Sequence, residues 1–412
     1  MPGNNSSLDT AFDLIVIGAG PAGSLTAYTG AQAGLKVLLL DRVSFPRDKI
    51  CGGLLSRKAL ELLPWKLDRI QERSIYTFRW VNNRKECLSV QREHPLGVTV
   101  RRDIFDLFLA EKAQRAGAYL LAGTPLTGIK HLPDKLIITT PRGQFTGRIL
   151  IGADGFYSEV ARLSGLRTKW QKWQTGFALR AQVPYPRDKI EELTKGGTII
   201  TFFTLPLPAS LGWFFPLQNE FNLGIGLPTL AIKHVVAVWI DFLTTVSTFC
   251  GNSFPCPRPQ GWYLPAGGLP RKIANGNILL VGDAAGLVDP FSGEGMYWAL
   301  KSGRLAGQLA AAYLQGNLSE TLADAYTRQC YQQCLPEFRR SLLLALLTGC
   351  KGDLFWRFLN DNPALLDIFP AIMESGDSYQ RIFATHIRSL PQMLGHILVK
   401  SKNNTPSSMT KE

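Results

Sequence analysis

The chain has 412 residues, 45% hydrophobic and 19% charged, enough for two or three substructures with apolar cores. Its 45 basic and 32 acidic residues give a formal charge of +13, which favours a phosphorylated cofactor or an acidic membrane surface as partner. The basic residues form no arginine-rich arm or zinc-finger pattern, which argues against nucleic acid, and seven scattered cysteines without CxxC spacing argue against a zinc site or a disulfide framework.

A reducing, cytoplasmic setting fits that cysteine usage. The N-terminal stretch MPGNNSSLDTAFD lacks the basic and apolar segments of a signal peptide. No run of about 18 uncharged apolar residues occurs, so no transmembrane helix is expected and any membrane contact would be peripheral. The most apolar windows, Val235–Phe249 and Leu342–Leu347, carry Asp241 or are too short.

Phe12–Ile17 is an apolar run suited to a strand buried on both faces. It leads into GAGPAG, where Gly18, Gly20 and Gly23 fit G-x-G-x-x-G. The first glycine permits a tight turn, the second lets a phosphate approach the backbone, and the third lets helix and strand pack closely. A helix over Ala22–Ala33 follows; its N-terminal amides present a positive dipole end to a pyrophosphate, with Pro21 and Ala22 at that site. Lys36–Leu40 is the next strand and ends in Asp41, placed to accept both ribose hydroxyls of an adenosine. Its carboxylate would repel a 2′-phosphate at this site. No second dinucleotide fingerprint is present, so a nicotinamide donor would bind transiently on the outer surface.

Pro46–Ser56 reads PRDKICGGLLS, which has no apolar periodicity and is expected as a loop. Leu120–Ile151 contains short strands split by TPLTG, LPDK and TPRGQ, the pattern of a β-meander. Ile149–Ser158 is a strand followed by Asp154-Gly155, and Asn277–Pro290 is a strand followed by Gly282-Asp283. Gly293–Tyr297 opens a long helix whose first amides lack intrahelical partners. Between these segments, 172–262 carries aromatic and β-branched runs separated by Pro and Gly, expected as an antiparallel sheet. Residues 74–99 are expected to add strands to it, and Ala231–Phe249 to back it as an amphipathic helix. The tail, Asn317–Lys400, is expected to be helical with breaks at Pro336, Pro363, Pro370 and Pro391.

The two glycine-rich segments and RRDIFDLFLAEKAQRAGA together resemble flavoproteins built like p-hydroxybenzoate hydroxylase. The resemblance implies a Rossmann-type α/β FAD-binding domain with an inserted antiparallel-sheet substrate domain and a C-terminal helical tail. The corresponding segments are 8–73, 100–165 and 265–315 for FAD, 74–99 and 172–262 for substrate, and 316–400 for the tail. It implies that Asp283 binds ribityl or ribose hydroxyls and that Gly282, Gly286, Gly293 and Gly295 let the cofactor lie against the main chain. Arg102 would approach the FAD phosphates or ring, and Arg42, Asp154 and Met296 lie along the same cofactor wall.

KICGGLLS is similar to the Cys-Gly-Gly element of the geranylgeranyl reductase family. LGWFFP at 211–216 matches that family's Y-x-W-x-F-P strand at Trp213, Phe215 and Pro216, with Leu211 in place of tyrosine. The resemblance implies reduction of isoprenoid carbon–carbon double bonds by reduced FAD, with NADPH as a transient donor and Trp213, Phe215 and Pro216 at the substrate. Hydride transfer to an isolated alkene needs a proton donor, for which Cys51 is the candidate; Gly52-Gly53 would bring its loop against the ring. The alternative is an FAD-dependent monooxygenase of an aromatic or lipid substrate on the same fold.

Overall fold

The computed structural model describes residues 11–82, 86–207, 209–251, 254–255, 257–266, 271–350, 356, 360 and 366–386. Strands β1 (Ala11–Ile17) and β2 (Val37–Leu40) carry apolar residues on both faces, so they are stable only in the interior of a covered sheet. Leu14, Ile15, Val16, Leu38, Leu39 and Leu40 are fully buried there, each contributing about 1.5–3 kcal/mol relative to exposure. Between them runs α1 (Pro21–Gln32), with proline at the first helical position, where no backbone donor is needed.

The chain then forms β3 (Leu54–Ser56), α2 (Arg57–Leu60), β4 (Gln71–Ile75), β5 (Thr77–Val81), β6 (Cys87–Gln91) and β7 (Gly97–Val100). Helix α3 (Arg102–Arg115) leads to β8 (Tyr119–Leu121), β9 (Gly128–His131), β10 (Leu136–Thr140), β11 (Gly143–Gly152) and α4 (Glu159–Leu163). The substrate-side segment holds β12 (Thr175–Pro184), α5 (Arg187–Leu193), β13 (Ile199–Thr204), β14 (Leu211–Pro216), β15 (Glu220–Pro228), α6 (Val235–Phe249) and β16 (Gln260–Pro265). After β17 (Ala274–Asn275) and β18 (Ile278–Leu280) come α7 (Gly282–Ala285), α8 (Met296–Leu314) and α9 (Leu322–Cys350), then helices Ile368–Glu374 and Ser378–His386.

The first sheet has the order β17-β18-β11-β1-β2-β8, and β18, β11, β1, β2 and β8 run parallel. The meander β9-β10-β11 branches antiparallel from the N-terminal half of the interior strand β11, as its turn residues predict. Because four of these strands end side by side, Gly18, Asp41, Ala153 and Val281 emerge at one edge, where an open α/β sheet binds ligands.

The second sheet has the order β16-β12-β15-β14-β13-β5-β6. It departs from the all-antiparallel expectation at one seam, where β13 pairs with β5 in parallel. Residues 74–99 divide between sheets: β5 and β6 join the large one, whereas β4 and β7 pair with β3 in a separate three-stranded sheet. Helix α6 backs the large sheet through Val238, Trp239, Phe242 and Val246, preceded by a 3-10 turn over Thr229–His234. Thr229–Phe249 is apolar and long enough to cross a membrane by composition, but one side of it is committed to the sheet.

Pro336 does not break the tail; it sits inside α9. Losing its backbone donor is offset by packing of the same helix through Cys330, Cys334 and Phe338. Pro370 lies in the first turn of Ile368–Glu374, where the missing N–H costs little. Pro363 and Pro391 fall outside the described residues.

Candidate active site

One cavity of about 1470 Å³ runs from the edge of the parallel sheet to the face of the large sheet. Ligand pockets usually span about 300–1,000 Å³, so this one has room for a dinucleotide and a further ligand. Its first wall is built by Gly18, Gly20, Pro21, Ala22, Asp41 and Arg42. The wall continues through Cys51, Gly52, Gly53, Arg102, Asp154, Gly155, Gly282, Asp283, Gly293, Gly295 and Met296. Segments spread along the chain from Gly18 to Met296 thus share one surface.

Gly18 turns with φ +100°, a backbone conformation that favours glycine, and the turn places Gly20, Pro21 and Ala22 at the cavity. Gly20 caps α1 without any side-chain hydrogen bond, so the helix N-terminus stays open to an anion. Gly23 does not line the cavity. A Cβ there would stand 1.8 Å from the Gly18 carbonyl oxygen, so its part is to let helix and strand close up.

Asp41 is buried and already accepts three bonds. Ala19 N–H reaches Oδ2 at 2.9 Å, Val43 N–H reaches Oδ1 at 3.0 Å and Arg47 reaches Oδ2 at 3.3 Å. A carboxylate has about four acceptor positions, so one stays open for a ribose hydroxyl on Oδ1, and a second opens where Arg47 moves aside. Arg47 also meets Asp106 at 3.2 Å, and its Nε is buried without a partner. The open α1 terminus, that unpartnered donor and the acidic pair of Asp41 and Asp283 fit the pyrophosphate and hydroxyls of FAD.

Two side chains do less toward a cofactor or substrate than expected. The Asp154 carboxylate accepts the Ser158 hydroxyl at 2.5 Å and the Val160 N–H at 3.0 Å, capping α4. Burial raises its pKa above the usual carboxylate value, against those two bonds. Pro216 is not on the cavity wall; its carbonyl accepts the Thr99 hydroxyl at 2.9 Å.

Arg102 lines the cavity while gripping Asp106 at 2.8 and 2.9 Å. Burial opposes its charge, yet Asp106 and Cys51 hold its pKa above the usual arginine value. Gly53 N–H donates to Cys51 Sγ at 3.4 Å, and the Arg102 charge lies close enough to that thiol to interact with it electrostatically. The glycine pair fits the loop to the large sheet: a Cβ on Gly52 would lie 2.9 Å from the Phe215 ring. Asn222 locks the join, donating to the Cys51 carbonyl at 2.9 Å and accepting from Trp213 Nε1 at 3.0 Å.

Replacing Asn222 with leucine is therefore expected to strand both groups and to cost about 2–4 kcal/mol in urea unfolding. An unchanged unfolding midpoint would show that the loop is held by other contacts.

Sequence reasoning misses Lys49, two residues before Cys51. Its ammonium lies 4.4 Å from the centroid of the Trp262 ring, and burial lowers its pKa, helped by Arg102 and opposed by Asp283. It also misses Glu294, which accepts from Ser56 and pairs with Lys58 at 2.8 Å beside Gly293 and Gly295. A lysine in a polar loop carries no periodic signal, and the partners of Glu294 are remote in sequence.

The far part of the cavity is apolar. Phe202, Trp213 and Phe215 face it, whereas Phe203 and Phe214 point to α6, as alternation along β13 and β14 requires. Phe177 packs on Tyr263 instead. The other side of the compartment comes from the tail: Phe369 stacks on Phe78 at 4.9 Å and meets Trp80 edge-on at 4.4 Å, with Trp356, Ile372 and Met373 beside them.

A family model described as "FAD binding domain" matches residues 11–184 and 268–334. A menaquinone reductase of Mycobacterium tuberculosis is 32% identical over 78% of this chain and 82% of its own. A digeranylgeranylglycerophospholipid reductase of Methanothermobacter thermautotrophicus is 30% identical over 81% of this chain and 85% of its own. The structure of a geranylgeranyl bacteriochlorophyll reductase-like protein from Thermoplasma acidophilum superposes with TM-score 0.77 at 22% identity, covering 93% of this chain and 99% of that one.

Proposed function

Because the chain belongs to the FAD-binding-domain family and to its geranylgeranyl reductase group, we propose that it reduces carbon–carbon double bonds of an isoprenoid lipid, with NADPH as electron donor. The observation that carries this reading is the continuity of the aromatic compartment with the dinucleotide wall in one cavity. Relatives named for a quinone and for a geranylgeranyl phospholipid support it, since both ligands carry polyprenyl hydrocarbon. A polyprenyl chain offers no charge and no hydrogen bond. Burial of its carbons, at about 0.8 kcal/mol per methylene, would provide most of the affinity.

FAD, when bound and reduced by that donor, would supply a hydride for one alkene carbon. The chain's own residues do the rest. Phe78, Phe202 and Phe369 exclude water and keep the alkene in an apolar slot. Cys51 gives its proton to the other alkene carbon, and the Gly53 N–H and Arg102 then support the thiolate left behind. Arg102 adds positive charge on the same side of the cavity.

The test is anaerobic. Purified protein carrying FAD, given NADPH or dithionite and a geranylgeranyl compound, is expected to yield a product heavier by one hydrogen pair for each bond reduced. Flavin oxidation only on admission of oxygen, with a hydroxylated product, would assign the chain to the monooxygenases instead.

A further inference from the structure

An isoprenoid lipid is insoluble in water, so the route by which it reaches the cavity is part of the chemistry. Part of the cavity wall lies at the end of the large sheet where β12 begins and β15 ends, and it includes the exposed Trp173. There Trp173, Thr175 and Pro228 line it, and Gly176 pairs with Pro228. The Thr175 hydroxyl donates to the Thr229 hydroxyl at 2.8 Å, which ties the Lys172–Gln174 turn to the Thr229–His234 turn.

These two turns and the following helix expose large apolar side chains together. Trp173 is 57% exposed, Leu230 65%, Val236 66% and Ile240 59%. Tyr157, also half exposed, lines the cavity and meets Trp262 edge-on. The opposite side of α6 is occupied by the sheet, so among the described residues its outward face has no partner.

The chain segments that build this rim are predominantly basic, with the exposed Asp241 beside Ile240 as the exception. No acidic residue occurs between Glu159 and Asp188, a stretch containing Arg167, Lys169 and Lys172. Between Glu220 and Asp283 the only carboxylate is Asp241, against Lys233, Arg258, Arg271 and Lys272. Lys172 and Lys233 are exposed and closely flank Trp173 and Leu230 in sequence. Apolar and aromatic side chains ringed by lysines are the pattern of a surface that sinks shallowly into an anionic bilayer.

We propose that the rim formed by Trp173, Leu230, Val236 and Ile240, with Lys172 and Lys233, docks on an anionic lipid bilayer. A lipid substrate then slides from the bilayer past Trp173 and Pro228 into the cavity without crossing water. The orientation follows from the fold: α6 lies along the membrane plane and the parallel sheet stays on the aqueous side. This docking rests on the isoprenoid-lipid reading for its purpose, but its test does not depend on turnover.

Co-flotation with phosphatidylcholine vesicles, with and without phosphatidylglycerol, tests it. The FAD-loaded chain is expected to float with the phosphatidylglycerol vesicles and to be released by salt. Lys172→Glu with Lys233→Glu should weaken that binding by at least about fivefold for each lysine. Leu230→Ser with Ile240→Ser should weaken it about tenfold or more, while reduction of a detergent-solubilised substrate is unchanged. Retained FAD and an unchanged near-ultraviolet spectrum report folding, and the lysine pair decides alone where the serine pair fails that check.

A wild-type chain that floats with neither vesicle, or variants that float as well as wild type, would overturn the docking. So would a dimer dissolved by the same substitutions in a chain that ignores vesicles, because it would assign the face to a second copy. Flotation without alkene reduction would leave the docking standing and remove the proposed function.

Discussion

Cys51→Ala is expected to slow alkene reduction by about a hundred- to ten-thousand-fold while FAD binds as before. The thiol lies on the cavity wall beside Gly52 and Gly53, and its loop is anchored by the Asn222 bond to the Cys51 carbonyl, which alanine preserves. The loop therefore keeps its place and only the proton is lost. Reduction of the cofactor by the proposed NADPH donor, or by dithionite, needs no proton from this side chain and should proceed at the wild-type rate. Stopped-flow spectra separate the two half-reactions. A mutant with full activity would move the proton to another group, and Lys49→Met would then be the variant to measure, since that ammonium shares the cavity and burial lowers its pKa.

Gly23→Ala is expected to abolish FAD binding and to destabilise the chain, although the side chain gained is a single methyl. Its Cβ would stand 1.8 Å from the Gly18 carbonyl oxygen and 2.9 Å from the Ala153 Cβ. The first of these is backbone in a turn that already runs at φ +100°, so no rotamer change relieves the clash. Helix α1 would have to withdraw from β1, carrying the Gly20 and Ala22 N–H groups off the cavity wall. The cost is about 3 kcal/mol or more, a melting point lower by about 3–4 °C or more for a chain of this length, with purified protein that is colourless. A yellow protein of normal stability would mean that helix and strand close differently from the arrangement described.

The cofactor wall is the part of the site most legible in the sequence. Gly18, Gly20 and Asp41 lie within one strand–helix–strand unit, where chain order and spacing alone put the turn, the amides and the acid in place. The strand before Gly282-Asp283 can be read for the same local reason. Alternation also sorts the aromatics of β13 and β14 into two faces, but it cannot say which face meets a ligand. Pro216 and Phe177 show that limit: both occur in aromatic-rich strands, and neither lines the cavity.

Fold class, the phosphate-binding turn and the existence of a second, aromatic sheet were determined by the sequence itself, because each depends on residues within a few positions of one another. Tertiary structure decided the rest. It brought Asn222 to the Cys51 carbonyl across 171 residues and stacked Phe369 of the tail on Phe78. It turned apolar residues of α6 outward beside the proposed cavity entrance. Those contacts join surfaces whose apolar content is ordinary in each segment alone, and hydrophobic burial has no direction of its own. Only the packing of whole elements selects which of many similar apolar faces meet.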